Sequence, residues 1–223
     1  MDRDMKSFVF GTTSLGMAIP AFSFGNEGPK VLILGGVHGN EIEGTFASFG
    51  LLKSFSTAFN YKLQLTLVPA LNLDGVINKD RLNGLGVDLN RNLPTKDWNP
   101  KAFDPKYPPG PNPCSEPENR ALVKFLDTEK PKFILSLHSW HPLLNLNGDC
   151  LPEAEFLKQK TGYEIKNEIG YPTPGCLGTY AGLERAMPTL TYEIERGLAL
   201  NKVLEIHVPA ILGALRVTEK DRL

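Results

Sequence analysis

The run Gly35-Gly36-Val37-His38-Gly39-Asn40-Glu41 sets an imidazole and a carboxylate three positions apart across a glycine turn, a spacing at which both converge on one cation. A second histidine, His138, ends the apolar run Phe133-Ile134-Leu135-Ser136-Leu137. Two histidines and one carboxylate leave one tetrahedral position open for water, the pattern of a catalytic rather than a structural zinc. The expected cofactor is therefore one Zn2+ per chain, on His38, Glu41 and His138. Two further groups stand out. Asn90-Arg91, inside Val87-Asp88-Leu89-Asn90-Arg91-Asn92 and nine residues beyond Arg81, offers an amide and a planar fork for a free carboxylate. Glu193 interrupts Leu190-Thr191-Tyr192-Glu193-Ile194, where a carboxylate is rare without a partner or a task.

These groups need rigid elements beneath them. Val31-Leu32-Ile33-Leu34 reads as a strand buried on both faces, and residues 40–55 place Ile42, Phe46, Phe49, Leu51, Leu52 and Phe55 near helical spacing. His38 and Glu41 then sit where a strand becomes a helix, beyond the carboxyl end of the strand, which is where open α/β sheets bind ligands. Further strands are predicted at residues 61–71, 133–137 and 189–194, and an N-terminal pair at 7–10 and 18–24. Ser115-Glu116-Pro117-Glu118 predicts a capping box with proline in the first turn of a helix. A last helix over 200–215 should be kinked or divided at Pro209. Strands alternating with helices imply an α/β fold with a largely parallel sheet. Residues 94–117 carry eight prolines with Trp98, Phe103 and Tyr107 interleaved, which predicts an ordered surface loop rather than a linker.

Composition narrows the class. With 223 residues the chain is expected to form a single catalytic domain, 1–223. Twenty-four basic against 25 acidic residues give a net charge of −1, so no basic field exists for nucleic acid or an anionic membrane. No apolar run approaches a membrane span, and the moderately apolar stretch 7–24 is broken by Gly11, Gly16 and Pro20 while the charges Asp2, Arg3, Asp4 and Lys6 before it cancel, unlike a signal peptide. Cys114, Cys150 and Cys176 cannot pair completely and follow no ligand spacing, so a reducing, cytoplasmic location is expected. His141 and His207 read as surface or core histidines.

His38-x-x-Glu41, Arg81, Asn90-Arg91, His138 and Glu193, in that order, resemble the zinc carboxypeptidases related to carboxypeptidase A. Within that family the chain is most similar to the murein peptide amidase branch, through Gly11-Thr12-Thr13-Ser14-Leu15-Gly16, Gly86 to Asn92, Ser115-Glu116-Pro117-Glu118 and Gly170-Tyr171-Pro172-Thr173-Pro174-Gly175. The resemblance implies a three-layer α/β/α sandwich with a mixed, mostly parallel twisted sheet and one zinc at its carboxyl edge. It implies that Arg81 stabilises the oxyanion, that Asn90 and Arg91 grip the α-carboxylate of the released residue, and that Glu193 is general base and then acid. Glu195 is its competitor. The resemblance further implies that Tyr171, if a one-residue gap is allowed, is the mobile substrate-binding tyrosine of carboxypeptidase A, that Trp140 walls the cleft and that Ser139-Trp140 is a cis peptide. One departure stands beside the metal set: Asn40 replaces an arginine of carboxypeptidase A.

The implied activity is hydrolysis of the γ-D-glutamyl to meso-diaminopimelate bond of murein tripeptide, by a monomer or homodimer whose partner is this small peptide. A side-chain pocket for diaminopimelate needs charges of both signs, for which Glu184, Arg185, Glu195 and Arg196 are the candidates. Alternatives are a carboxypeptidase acting on ordinary peptides and an N-acyl amino acid deacylase resembling succinylglutamate desuccinylase and aspartoacylase, which share the Gly-Gly-x-His-Gly-Asn-Glu run. A zinc-retaining protein without activity is disfavoured by the presence of Glu193 and Arg81.

Overall fold

The computed structural model describes residues 5–102 and 104–222, so Phe103 and the charges Asp2, Arg3 and Asp4 lie outside the described residues. Eight strands form one sheet: β1 (Lys6–Thr12), β2 (Ala18–Phe24), β3 (Lys30–Leu34), β4 (Gln64–Val68), β5 (Phe133–Trp140), β6 (Leu143–Asn147), β7 (Glu164–Lys166) and β8 (Thr189–Glu195). Their order is β1-β2-β4-β3-β5-β8-β6-β7. The centre, β4-β3-β5-β8, is parallel, β6 runs antiparallel to β8, and the β1-β2 hairpin adds antiparallel to β4. The expected mixed sheet is therefore observed.

The central strands are apolar on both sides because both faces are covered. On one face α1 (Ile42–Thr57), α4 (Leu151–Thr161) and α6 (Val208–Asp221) bury Leu51, Phe55, Leu157 and Ile211 against Ile33, Leu65 and Leu135. On the other face α3 (Pro117–Glu129) and the segment around Leu177 and Tyr180 bury Leu122 and Leu126 against Leu32, Leu34 and Ile134. These are the three layers that the resemblance to zinc carboxypeptidases implies.

Several local readings change. Residues 61–71 shorten to β4, because beyond Val68 the chain bends to let Leu71 and Asn72 donate to the Gly35 and Gly36 carbonyls, and α2 (Leu73–Asn78) follows. No capping box forms at α3: Glu116 is the N-cap without a side-chain cap bond, Ser115 Oγ donates to Glu116 Oε1 at 2.7 Å, and Glu118 accepts the Ser14 N–H at 2.7 Å instead of reaching back. The last helix is divided, as Pro209 requires: α5 (Leu200–Lys202) passes through a wide π-type turn, Val203–His207, before α6 begins with the proline in its first turn. The Ser139–Trp140 peptide is trans, a correction to the expectation: β5 runs unbroken through both residues, which pair with Ile194 and Glu195 of β8.

Candidate active site

Three parallel strand ends build the site. β3 ends before Gly35-Gly36, which carry the chain to His38, β5 carries His138, and β8 carries Glu193. Gly39 is required where it stands, since a Cβ there would overlap the backbone of Gly75 in α2. Glu41 occupies the N-cap position of α1 but makes no cap bond, because its two oxygens are used elsewhere. Oε1 lies 2.8 Å from His38 Nδ1 and Oε2 lies 2.8 Å from His138 Nδ1. The two Nδ1 atoms are 3.2 Å apart, and one ligand atom from each of the three residues lies within 4.8 Å of the others.

The far ring nitrogens are anchored. His38 Nε2 meets Asp88 Oδ1 at 3.1 Å, and His138 Nε2 meets Ser136 Oγ at 2.9 Å. With a cation held at Nδ1, the His38 proton goes to Nε2, where Asp88, which can only accept, takes it. Two imidazoles and a carboxylate, with the outer nitrogens held by hydrogen-bond partners, are the donor set of a catalytic zinc, and His38, Glu41 and His138 fit it.

The charges support one another. Burial alone would raise the Glu41 carboxyl, but His38 and His138 outweigh it and hold its pKa well below the ordinary value. Asp88 is buried too, yet His38 and Arg81 keep it ionised through a strongly lowered pKa. Arg81 Nε donates to Asp88 Oδ2 at 2.9 Å and its Nη1 to Glu41 Oε1 at 3.2 Å. Glu193 differs: burial pushes its carboxyl up to about 7, the range useful for taking and returning a proton, and its Oε2 is buried with no hydrogen-bond partner among the described residues.

The cleft over these groups has a volume of about 510 Å³, and Arg81, Asn90, Arg91, Trp140, Tyr171 and Glu193 all line it. Asn90 Oδ1 accepts from Leu177 N–H at 2.9 Å, which leaves its amide NH2 as the free donor; Arg91 Nη1 donates to the Asn90 carbonyl at 2.6 Å. The Pro-rich loop is ordered onto this wall, with Gly175 N–H donating to Thr95 Oγ1 at 3.0 Å and Leu93 N–H to the Gly175 carbonyl at 3.0 Å. Its Tyr107 ring lies under both guanidinium groups, 4.7 Å from Arg81 and 5.1 Å from Arg91, and stacks on Tyr171 at 6.1 Å between centroids. Tyr171 also meets Trp140 edge-on at 5.7 Å, and burial raises its pKa, so it is a neutral phenol.

Two expectations need correction. Glu184 and Arg185 lie away from the cleft: Glu184 accepts from Lys96 N–H and pairs with Arg185, whose guanidinium stacks on Tyr180 at 3.5 Å. Glu195 points to solvent, and Arg196 alone of the four lines the cleft, so the wall beside Glu193 is instead neutral and polar, made by Asn145, Asn147 and Thr191. Sequence reasoning assigned no role to Asp88, Tyr107 or Ser136. Asp88 carried a signal, a carboxylate two residues before Asn90 inside the segment already singled out; Ser136 carried none.

A family described as zinc carboxypeptidase matches residues 3–169. The chain belongs to the zinc carboxypeptidase family. The matched span contains the three candidate metal ligands, Arg81, Asn90 and Arg91, while Glu193 lies beyond it. The chain is 28% identical over 198 residues to murein peptide amidase A of Vibrio campbellii, covering 83% of this chain and 77% of the relative. It is similar to the crystal structure of murein-tripeptide amidase from Escherichia coli O157, with a TM-score of 0.79 and 25% identity, over 94% of this chain and 91% of that one. Carboxypeptidase A from Helicoverpa armigera shares the fold, with a TM-score of 0.81 at 14% identity over 96% of this chain and 67% of the other. Family membership makes the chain a zinc hydrolase of mixed α/β fold. No helix among the described residues is long and apolar enough to cross a membrane.

Proposed function

We propose that residues 1–223 act as one catalytic domain that hydrolyses the γ-D-glutamyl to meso-diaminopimelate bond of murein tripeptide, a small soluble substrate met in the cytoplasm. Three free cysteines support a reducing location. His38, Glu41 and His138 hold the metal, which when bound supplies a Lewis acid and brings water toward ionisation at neutral pH. Asn90 Nδ2 and the Arg91 fork bind the α-carboxylate of the leaving residue, which restricts attack to a chain end. Arg81, fixed by Asp88 and Glu41, places positive charge where the scissile carbonyl oxygen becomes negative. Glu193 Oε2 takes the proton of the attacking water and returns it to the departing amine. Tyr171, seated against Trp140 and Tyr107, closes the roof over the substrate.

One observation carries this reading. Donors without a carboxylate partner among the described residues, at Asn90 and Arg91, share a single cleft with Glu193 and the His-Glu-His cluster, in a chain with relatives named murein peptide amidase A. The Asn145, Asn147 and Thr191 wall supports a polar side chain in the released residue over the aliphatic or aromatic one of a digestive carboxypeptidase substrate. The test is incubation of zinc-loaded protein with L-Ala-γ-D-Glu-meso-diaminopimelate and with peptides ending in Phe or Leu, the products resolved by mass. Free diaminopimelate is expected. Intact tripeptide beside trimmed Phe or Leu peptides would leave only a general carboxypeptidase.

A further inference from the structure

Strand register fixes the two ends of the cleft. On β6 and β8, Leu143 stands opposite Glu193, Asn145 opposite Thr191 and Asn147 opposite Thr189. The amide wall therefore extends back from Glu193 along β8. The Thr173 to Gly178 segment lies at the same end, since Gly178 abuts the Asn147 amide, and it holds the carboxylate-binding pair, with Gly175 against the Arg91 carbonyl and Leu177 on Asn90. In the other direction β8 runs past Glu193 to Glu195 and turns. Arg196 N–H donates to the Trp140 carbonyl at 3.0 Å and Gly197 N–H to Glu43 Oε1 at 2.7 Å, which fixes the turn. Arg196 Nη2 then reaches the carbonyl of Asn40, the residue next to Glu41, at 2.9 Å. Arg196 thus stands at the end of the cleft away from Arg91, three residues or roughly 10 Å of strand rise beyond Glu193.

The cations in the cleft are not equivalent. Arg81 is held by Asp88 and Glu41, and Lys106 pairs with Asp104 at 3.4 Å. Arg91 and Arg196 have no carboxylate partner among the described residues; each donates to one neutral backbone carbonyl and keeps the rest of its fork. Two unpaired forks, one on each side of Glu193 and the metal ligands, match a substrate with a carboxylate on each side of the scissile bond. An ordinary peptide has only the one at its end. A γ-glutamyl amide has a second, because its chain runs through the glutamyl side chain and leaves the α-carboxylate free, three carbons from the scissile carbonyl.

We propose that Arg196 binds this glutamyl α-carboxylate and so determines specificity on the acyl side. The inference rests on the γ-glutamyl reading of the substrate. It replaces the expectation that Arg196 serves the diaminopimelate side chain, from which the register of β8 separates it.

The experiment compares two substrates, L-Ala-γ-D-Glu-meso-diaminopimelate and the same tripeptide with the glutamyl α-carboxylate converted to a carboxamide. The wild-type protein should prefer the free acid by about tenfold in kcat/KM, mostly through KM, the scale of one exposed charge-assisted contact. Arg196→Gln should bring that preference close to one, and Arg196→Lys, which keeps the charge without the fork, should fall between. Equal use of both substrates by wild type, or an undiminished preference in Arg196→Gln, overturns this inference and leaves γ-glutamyl cleavage standing. Trimming of Phe-ended peptides with neither tripeptide cleaved overturns both.

Discussion

Glu193 stands beside His138 on the neighbouring parallel strand, the two residues paired in register between β5 and β8. Backbone pairing, rather than loop geometry, thus sets the proposed proton-handling carboxylate at the height of a candidate metal ligand. Glu193→Gln preserves shape while removing the base, so kcat on the tripeptide should fall at least about 10²-fold. Bound zinc, measured by elemental analysis, should be unchanged. Near-normal turnover would transfer the role away from Glu193.

Asp88 holds both the His38 ring and Arg81, at 3.1 and 2.9 Å. Asp88→Asn keeps the volume but loses the charge and one acceptor. Zinc affinity, measured by competition with a chelator, should drop about 10- to 100-fold, as is usual for an outer partner of a metal histidine. The same variant restored with excess zinc should remain slow because Arg81 has lost its anchor. Full recovery would show that Asp88 serves the metal alone.

Removing a candidate ligand outright is a stronger change. His38→Ala should lose zinc and activity together, and chelation of the wild-type protein should abolish turnover reversibly. Stoichiometric zinc in His38→Ala would place the metal elsewhere.

Tyr107 faces both cleft arginines, 4.7 Å from Arg81 and 5.1 Å from Arg91. At about 0.5–1 kcal/mol for each of the two cation–π contacts, Tyr107→Ala should weaken kcat/KM at least about fivefold while Tyr107→Phe should not. Equal loss in both variants would assign the effect to the hydroxyl.

His207 supplies a pH-dependent stability term on the opposite face of the sheet from α3. It is buried, with Nδ1 2.5 Å from the Tyr192 hydroxyl, and burial lowers its pKa to about 4. The folded imidazole is therefore neutral where the unfolded one, with a pKa near 6.5, takes up a proton. The folded state keeps its full advantage above about pH 6.5 and loses up to about 3 kcal/mol as the pH falls to about 4. Urea unfolding of the zinc-free protein at pH 7 and pH 4.5 measures this difference. His207→Gln should flatten it, and an unchanged pH slope would assign the acid sensitivity to other groups.

The candidate metal set was legible in the sequence because its parts are local. His38 and Glu41 lie on one glycine turn, His138 ends one apolar strand, and Glu193 interrupts another, so each declares itself against a uniform hydrophobic background. The layered α/β architecture followed from the same apolar runs, which need both faces covered. The antiparallel strand β6 was not legible, because Leu143-Leu144-Asn145-Leu146-Asn147 belongs to a sheet only through its pairing with β8. That pairing is a long-range contact, and it decided which polar groups wall the cleft and that Arg196 lies at the opposite end from Arg91. Long-range packing also decided that Asp88 would bridge His38 and Arg81, 50 and 7 residues away in the chain, and that Tyr107 would fold from a Pro-rich loop onto two arginines. Residue type and spacing specify which groups can do chemistry; direction and distance between them arise only when the strands pair and the loops dock.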